Sequence, residues 1–483
     1  MVKKIIDSNL DTKIKAKSNK KIIINQSKDK DNCGCKKDKK CKRCRDIKVI
    51  DSVPYFITES GKYCVSNDLL YTGLDPTSSA ISISANNVEV DFNGHILSIS
   101  STEVTGISIL DSDNVLIKNG TLVLVNIVPP ISVGEGFLIT NSDDVILDNF
   151  YISSFRRNIT VVNSTQISIL GGRNENAANF NVAAFNVVGL RIEKGFYTNP
   201  IDFGGLLLQP ASNVTIYDTD FFNADIFYVA GSNSSFDKIR VNIVDVDYIY
   251  GAIQLGAGSE DPLLSLGVRD LIIKDSTFVN KSNQSVGPAS MFIVNGKNII
   301  VSDSVLSMDP SIGSVGENSQ TAMLTIGTSD DPRLAGLIGS NSIGEGILYT
   351  SNITIKNNTL SGSATYGVVV ASPDNAIKLN GQIKISNNNV SIATEYLGFL
   401  LNTNSVVFKE NDISNSDNIG ILVDGKSSQN VIKSNTITGV INSGISLTAT
   451  TSNNVITDNI VISGGNIINS GSNIINNNTV IFG

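Results

Sequence analysis

Ile355–Leu360 reads IKNNTL: apolar, any residue, Asn or Asp, small polar, any residue, apolar. The pattern returns as IKNGTL from Ile117, IYDTDF from Ile216, IKDSTF from Ile273, VSDSVL from Val301, ISNNNV from Ile385, FKENDI from Phe408, IKSNTI from Ile432, ITDNIV from Ile456 and INNNTV from Ile475. A looser copy, LDNFYI, starts at Leu147. From Ile355 onward the starts fall 19–30 residues apart. Recurrence at such a spacing marks a solenoid, in which each unit packs only on its neighbours. The 483 residues therefore predict one long repeat body and not several ordinary domains.

Around each copy the layout repeats. An apolar strand comes first, often introduced by Gly, as in GISIL from Gly106, GFLIT from Gly136, GLLLQ from Gly205 and GILV from Gly420. A polar turn, a second strand, the Asn/Asp corner and a third short strand follow. Alternation within each strand puts apolar side chains on one face, the interior of a wound coil. The fourth hexapeptide position becomes a column, Asn358, Asn388, Asn411, Asn435, Asn459 and Asn478. Stacked at roughly 4.8 Å, these residues predict an asparagine ladder whose amides satisfy buried corner groups. In earlier coils the corner carries Asp in several places, notably Asp218, Asp275 and Asp303.

The segment from Tyr55-Phe56-Ile57 through Gly61-x-Tyr63-Cys64 runs into Asn87-Val88-Glu89-Val90-Asp91-Phe92-Asn93-Gly94-His95. It resembles the opening coil of right-handed parallel β-helix repeat proteins of the pectin-lyase-like superfamily. The asparagine-rich style behind a short basic leader is similar to β-helix proteins encoded by large amoeba-infecting, mimivirus-like DNA viruses. The resemblance covers residues 51–483. It implies an all-β chain forming a single-stranded right-handed parallel β-helix of about fifteen coils, with an opening coil over 51–100.

Residues 1–50 differ. They hold 17 Lys/Arg against 6 Asp, whereas the remainder holds 20 against 39, so a basic tail precedes an acidic body. The tail lacks period of either kind and reads as disordered on its own. Its run CGCKKDKKCKRC carries Cys33, Cys35, Cys41 and Cys44. Four thiols this close offer three readings: one tetrahedral zinc, disulfides or inter-chain cross-links, or unpaired thiols in a flexible arm. The lysines suit a generic anionic anchor, and no aromatic between Lys3 and Lys48 offers a stacking platform for single-stranded nucleic acid. No apolar run has the length of a signal-peptide core or a membrane span, so the expectation is synthesis in the cytosol without a signal peptide.

Aromatics crowd residues 150–250, including Phe155, Phe180, Phe196, Phe221, Phe236 and Tyr248. Most are expected inside. Tyr197, Tyr217 and Tyr250 are the surface candidates for binding, because a Tyr offers a flat face and a hydroxyl together. Two longer excursions, LGAGSEDPLLSLG from Leu255 and IGTSDDPRLAGLIGSNSIGEG from Ile326, read as insertions at one corner of different coils.

The resemblance also implies chemistry to test. A lyase of this superfamily would need a calcium cluster of carboxylates and a basic residue beside it. A polygalacturonase-type hydrolase would need an Asn-Thr-Asp segment, an Asp pair, a Gly-His-Gly and an Arg-Ile-Lys, and the chain lacks that set. His95, the lone histidine, reads as part of a structural turn, and Asp143-Asp144 as turn caps. The weak catalytic candidates are Asp218, Asp275 and Asp303, whose stacking would raise a pKa or share a cation, and Arg156, Arg157 and Arg191 nearby. The alternative for the acids is plain corner capping.

The pattern running up to INNNTVIFG predicts an open strand edge, hence a homo-oligomer, preferably a trimer, or a docked partner. The preferred role is a non-enzymatic structural or surface element, a virion component contacting glycans. The alternatives are a lyase or glycoside hydrolase acting on acidic polysaccharide, and a glycan-binding module without turnover.

Overall fold

The computed structural model describes residues 46–483 apart from 76, 126–133, 199, 201–203, 245–250, 257–266, 282–285, 309–319, 328–349, 373–381, 464 and 483. Contacts divide the chain after Arg45, and the unit Asp46–Gly483 is a parallel β-helix. Among the described residues its 44 strands form one hydrogen-bonded system, because strands such as Asp113–Leu124 run through a corner and pair on both sides of it.

Each coil contributes to three parallel ladders. The first ladder climbs from Tyr55–Ile57 through Ser79–Ile83, Thr105–Leu110 and Glu135–Thr140 to Ser443–Leu447 and Asn466–Asn469, sixteen rungs in all against about fifteen expected. The second runs from Ile47–Ile50 to Ser472–Asn476 and the third from Leu69–Tyr71 to Thr479–Ile481. Ile47–Ile50 pairs in register with Lys62–Val65, so the solenoid begins inside the span assigned to the tail. The apolar run IKVI had enough strand character to join the sheet once a partner edge was present.

Alternation fixes what is inside. In Asp143–Ser153, Val145 and Leu147 are buried while Ile146 and Asp148 face outward, and Val88–Asp91 repeats the pattern. The inward residues join into one core running from Ile50 to Val461. A second apolar cluster, Tyr366, Val369, Phe399, Leu401 and Leu422 among it, lies on the opposite face of the first ladder, since Val368 and Val370 belong to the interior. The Gly at the start of first-ladder strands has a steric reason: a Cβ on Gly136 would stand 2.4 Å from the Asn158 carbonyl oxygen.

The hexapeptide resolves into two columns one residue apart. Its third position is left-handed in every copy from Asn119 (φ 58°) through Asp218 (47°), Asp275 (49°), Asp303 (53°) and Asn357 (57°) to Asn477 (52°). Asn and Asp tolerate this conformation best among residues with a side chain, which explains their recurrence. The fourth position points inward. Asn358 Nδ2 donates to Asn388 Oδ1 (3.1 Å), Asn388 to Asn411 (3.0 Å), Asn411 to Asn435 (3.0 Å), Asn435 to Asn459 (2.9 Å) and Asn459 to Asn478 (2.9 Å). The same oxygens accept the backbone N–H of the preceding residue in the column. Serines continue it backwards: Ser304 N–H donates to Asn358 Oδ1, Ser276 N–H to Ser304 Oγ, and Ile239 N–H to Ser276 Oγ. Asp218, Asp275 and Asp303 are thus not substitutes in the buried column. They belong to the outward, left-handed one.

Candidate functional site

Charged and aromatic side chains converge on the outer face of the third ladder in the middle coils and on the corner that leads into it. Register stacks Tyr151, Arg173, Phe196, Asp220 and Arg240 on consecutive rungs. All five face outward because the residue that follows each of the last four, Asn174, Tyr197, Phe221 and Val241, is buried. Arg173 donates through Nε to Glu175 (2.7 Å) and lies 5.0 Å over the Phe196 ring, and Tyr151 donates its hydroxyl hydrogen bond to the same Glu175. Arg240 reaches Asp218 through both terminal nitrogens (3.1 Å) and Asp220 through Nε. The Asp220 hydrogen bond holds the Arg240 guanidinium above its usual pKa. Lys238, in the left-handed column, donates to the Tyr217 hydroxyl (3.1 Å) and stands 5.0 Å from its ring centre. That hydrogen bond raises Lys238 as well.

The sequence candidates distribute unevenly over this surface. Asp218 faces outward beside an arginine and is 40 % exposed. Asp275 follows Lys238 in the corner column, and Asp303 accepts a hydrogen bond from the Asn357 Nδ2 of the next coil (3.2 Å). Tyr217 is half-buried and outward. Tyr197 is not a surface residue: it is 0 % exposed and stacked on Phe221 at 5.1 Å, and its burial pushes the phenol strongly upward. Tyr250 lies outside the described residues, as do Cys33, Cys35, Cys41 and Cys44. Cys64, buried on the second ladder, is disulfide-bonded.

The arginines do not form one positive spot. Arg191 faces out of the second ladder and pairs with Glu193 (2.7 Å). Arg157, on the first ladder, lies 3.5 Å from Glu135 and 5.2 Å over Phe185, with Arg156 just before it. Glu135 is 12 % exposed, and burial lifts its carboxyl above the usual range against the pull of the Thr160 hydroxyl and Arg157. Desolvation lowers Arg157, whose Nε has no hydrogen-bond partner among the described residues.

Glu135, Asp220, Arg173, Lys238 and Arg240 were not singled out from sequence. A signal existed: Arg173-x-Glu175, Arg191-x-Glu193, Asp218-x-Asp220 and Lys238-x-Arg240 place charges two apart in strand segments, which brings them to one face. The two long excursions fall largely outside the described residues. The strands before them, Ile253–Leu255 and Gln320–Gly327, belong to the first ladder, and those after, Val268–Lys274 and Ser351–Lys356, to the second, so both interrupt the same corner.

Among the described residues no three His, Cys, Asp or Glu side chains gather as a metal centre requires, and no helix is long and apolar enough to cross a membrane. A cavity of about 600 Å³ opens on the last coil between Asn466 and Val480, lined by Ile, Val and Asn without an ionisable group.

Residues 338–482 match the family described as right handed β-helix region. No curated protein matches the sequence. Among solved structures, the surface adhesin PfbA of Streptococcus pneumoniae is similar over 73 % of this chain and 84 % of its own, with 12 % identity and a TM-score of 0.43. A tailspike double mutant of E. coli bacteriophage HK620 is similar over 86 % and 72 %, with 11 % identity and a TM-score of 0.43. The catalytic domain of a GH87 α-1,3-glucanase is similar over 88 % and 64 %, at 11 % identity and 0.36. At these values the likenesses bear on neither ligand nor activity.

Proposed function

We propose that this chain is a non-enzymatic structural β-helix, a surface element of a virion built as a homotrimer, that contacts glycans through the outer face of its middle coils. The observation that carries the reading is the commitment of the candidate carboxylates. Asp218 and Asp220 are both engaged by Arg240, Asp303 accepts a hydrogen bond from the Asn357 side chain, and Asp275 stands in the same left-handed column. A carboxylate already engaged by an arginine or a neighbouring amide is held in place, which suits a static surface better than proton transfer. The half-buried rings of Tyr217, Phe196 and Tyr151 beside paired charges supply flat apolar area and hydrogen-bonding rims, the usual ingredients of sugar contact.

A second reading, cleavage of acidic polysaccharide, is favoured by one feature, the raised Glu135 carboxyl beside Arg157. The test is incubation of the full chain with polygalacturonate and alginate, monitoring unsaturated products at 235 nm, about the absorbance such products show, and reducing ends. No turnover, with retention on a glycan matrix, is the expected result. Turnover abolished by Glu135→Gln would overturn the non-enzymatic reading. Sedimentation should give three copies per particle at micromolar concentration, and a stable monomer would remove the trimer.

A further inference from the structure

We infer that the glycan accepted by the middle coils is neutral, an uncharged pyranose polymer. This rests on the glycan-contact reading and narrows it to a ligand class. Residues 135–275 carry 9 Lys/Arg against 17 Asp/Glu, so an approaching polyanion meets a repulsive field before it meets any side chain.

The local arrangement agrees with the field. Arg173 is engaged by Glu175, Arg191 by Glu193, Arg240 by Asp218 and Asp220, Lys274 by Asp237 (3.2 Å) and Arg157 by Glu135. The carboxylate of an acidic sugar is held best by an unshared guanidinium fork or ammonium. To use Arg240 it would have to displace Asp218 and Asp220 and then sit against both. Lys194, Lys238 and Arg156 have no such acid partner, but Lys194 stands at the corner after the second ladder, Lys238 is tied to the Tyr217 hydroxyl with Asp237 and Asp275 in its field, and Arg156 precedes a first-ladder strand, so they do not act together.

A hydroxyl has the opposite requirement. It donates and accepts at once, so a paired guanidinium and carboxylate satisfy both halves without losing each other. Glu175 with Arg173, and Asp220 with Arg240, are such pairs on neighbouring rungs either side of Phe196, whose ring offers the apolar face a pyranose C–H surface needs.

Native electrophoresis of the full chain through gels containing a β-glucan, dextran or mannan, and through gels containing polygalacturonate or alginate, tests this. At least one neutral polymer should retard the protein equally at low and high salt, and the retention that the basic residues 1–50 give on the acidic polymers should be unchanged by Arg173→Ala with Arg240→Ala. Phe196→Ala and Tyr217→Ala should each weaken neutral retention about five- to tenfold with unchanged melting. The double substitution Asp218→Asn with Asp220→Asn should free Arg240 and add salt-sensitive retention by the acidic polymers. Salt-sensitive binding to an acidic polymer that Arg173→Ala with Arg240→Ala weakens overturns the neutral assignment and leaves glycan contact standing. Retention by neither class beyond what residues 1–50 give overturns both.

Discussion

The final coils and the middle coils solve the same corner in different ways. From Asn358 to Asn478 the inward corner position is always Asn, and from Asn388 on each side-chain oxygen takes two donors from the coil before it. In the middle coils that position is Phe150, Gly172, Gly195, Thr219 and Ile239, and the interior is filled by rings instead. Phe150 meets Phe92 and Phe137 edge-on at 5.1 and 5.3 Å, Tyr197 stacks on Phe221, and Tyr228 packs against Phe236 at 5.9 Å. One region ties its coils together by directional hydrogen bonds and the other by shape. The difference teaches that the winding itself does not need the amides. Register is set by strand pairing, while the corner chemistry decides how tightly one coil is tied to the next.

The largest expected effect breaks the polar side of that comparison. Asn435→Leu removes an acceptor for the Asn411 N–H and Nδ2 and a donor to Phe408 O and Asn459 Oδ1, all buried. At roughly 1–3 kcal/mol for each orphaned group, offset partly by added apolar burial, the loss should be about 3–5 kcal/mol by thermal or urea unfolding. Ser304→Ala, where the column thins to a hydroxyl, removes the acceptor of the Ser276 N–H and a donor to Ser302 O and should cost about 1–2 kcal/mol. Equal losses for the two would mean that the amide column adds nothing special.

On the aromatic side the sign reverses. The Tyr197 hydroxyl is buried without a hydrogen-bond partner among the described residues, so Tyr197→Phe keeps the stack on Phe221 and should stabilise by about 1 kcal/mol. Destabilisation would show that the hydroxyl has a partner in the folded protein. Tyr228 is the internal control. Its hydroxyl donates to Ala211 O (2.7 Å) and contacts Ser234 Oγ, its burial pushes the pKa to about 12, and Tyr228→Phe should destabilise.

The smallest effect is a pH slope. Glu135 has its folded pKa raised above the ordinary 4.5 by burial, so the folded state holds its proton more tightly than the unfolded chain. Its effect on stability is most favourable below 4.5 and declines as pH rises through the raised folded value. Glu135→Gln should flatten that part of the melting temperature against pH. An unchanged profile would place the carboxyl in a wetter setting.

Much of this was legible from the hexapeptide, and what was missed shows why. Ile192–Tyr197 reads IEKGFY, which fits the six-residue pattern once Lys is allowed at the left-handed third position. Its sixth position is inward, so Tyr197 had to be interior, whereas Tyr217 is the second position of IYDTDF and had to face out. The Asn/Asp preference concealed the Lys variants because it reports conformational tolerance, and that is a bias and not a requirement. The same offset misplaced Asp218, Asp275 and Asp303, whose third-position chemistry looked like fourth-position chemistry in an unaligned reading. The ion pairs around Arg240 depend on register between rungs as well as on phase within a strand. Register was not readable until Thr219 and Ile239 were known to be neighbours.

The amide column also has a direction. From Asn358 to Asn478 every oxygen faces the preceding coil, and each amide up to Asn459 gives one N–H to the oxygen of the following coil and the other to a carbonyl of the preceding one. Their dipoles therefore add head to tail, as peptide dipoles do along a helix. The asymmetry belongs to the column alone: at Asn358 the oxygen takes the Ser304 N–H, and at Asn478 the amide donates back to Ile456 O and Asn476 O.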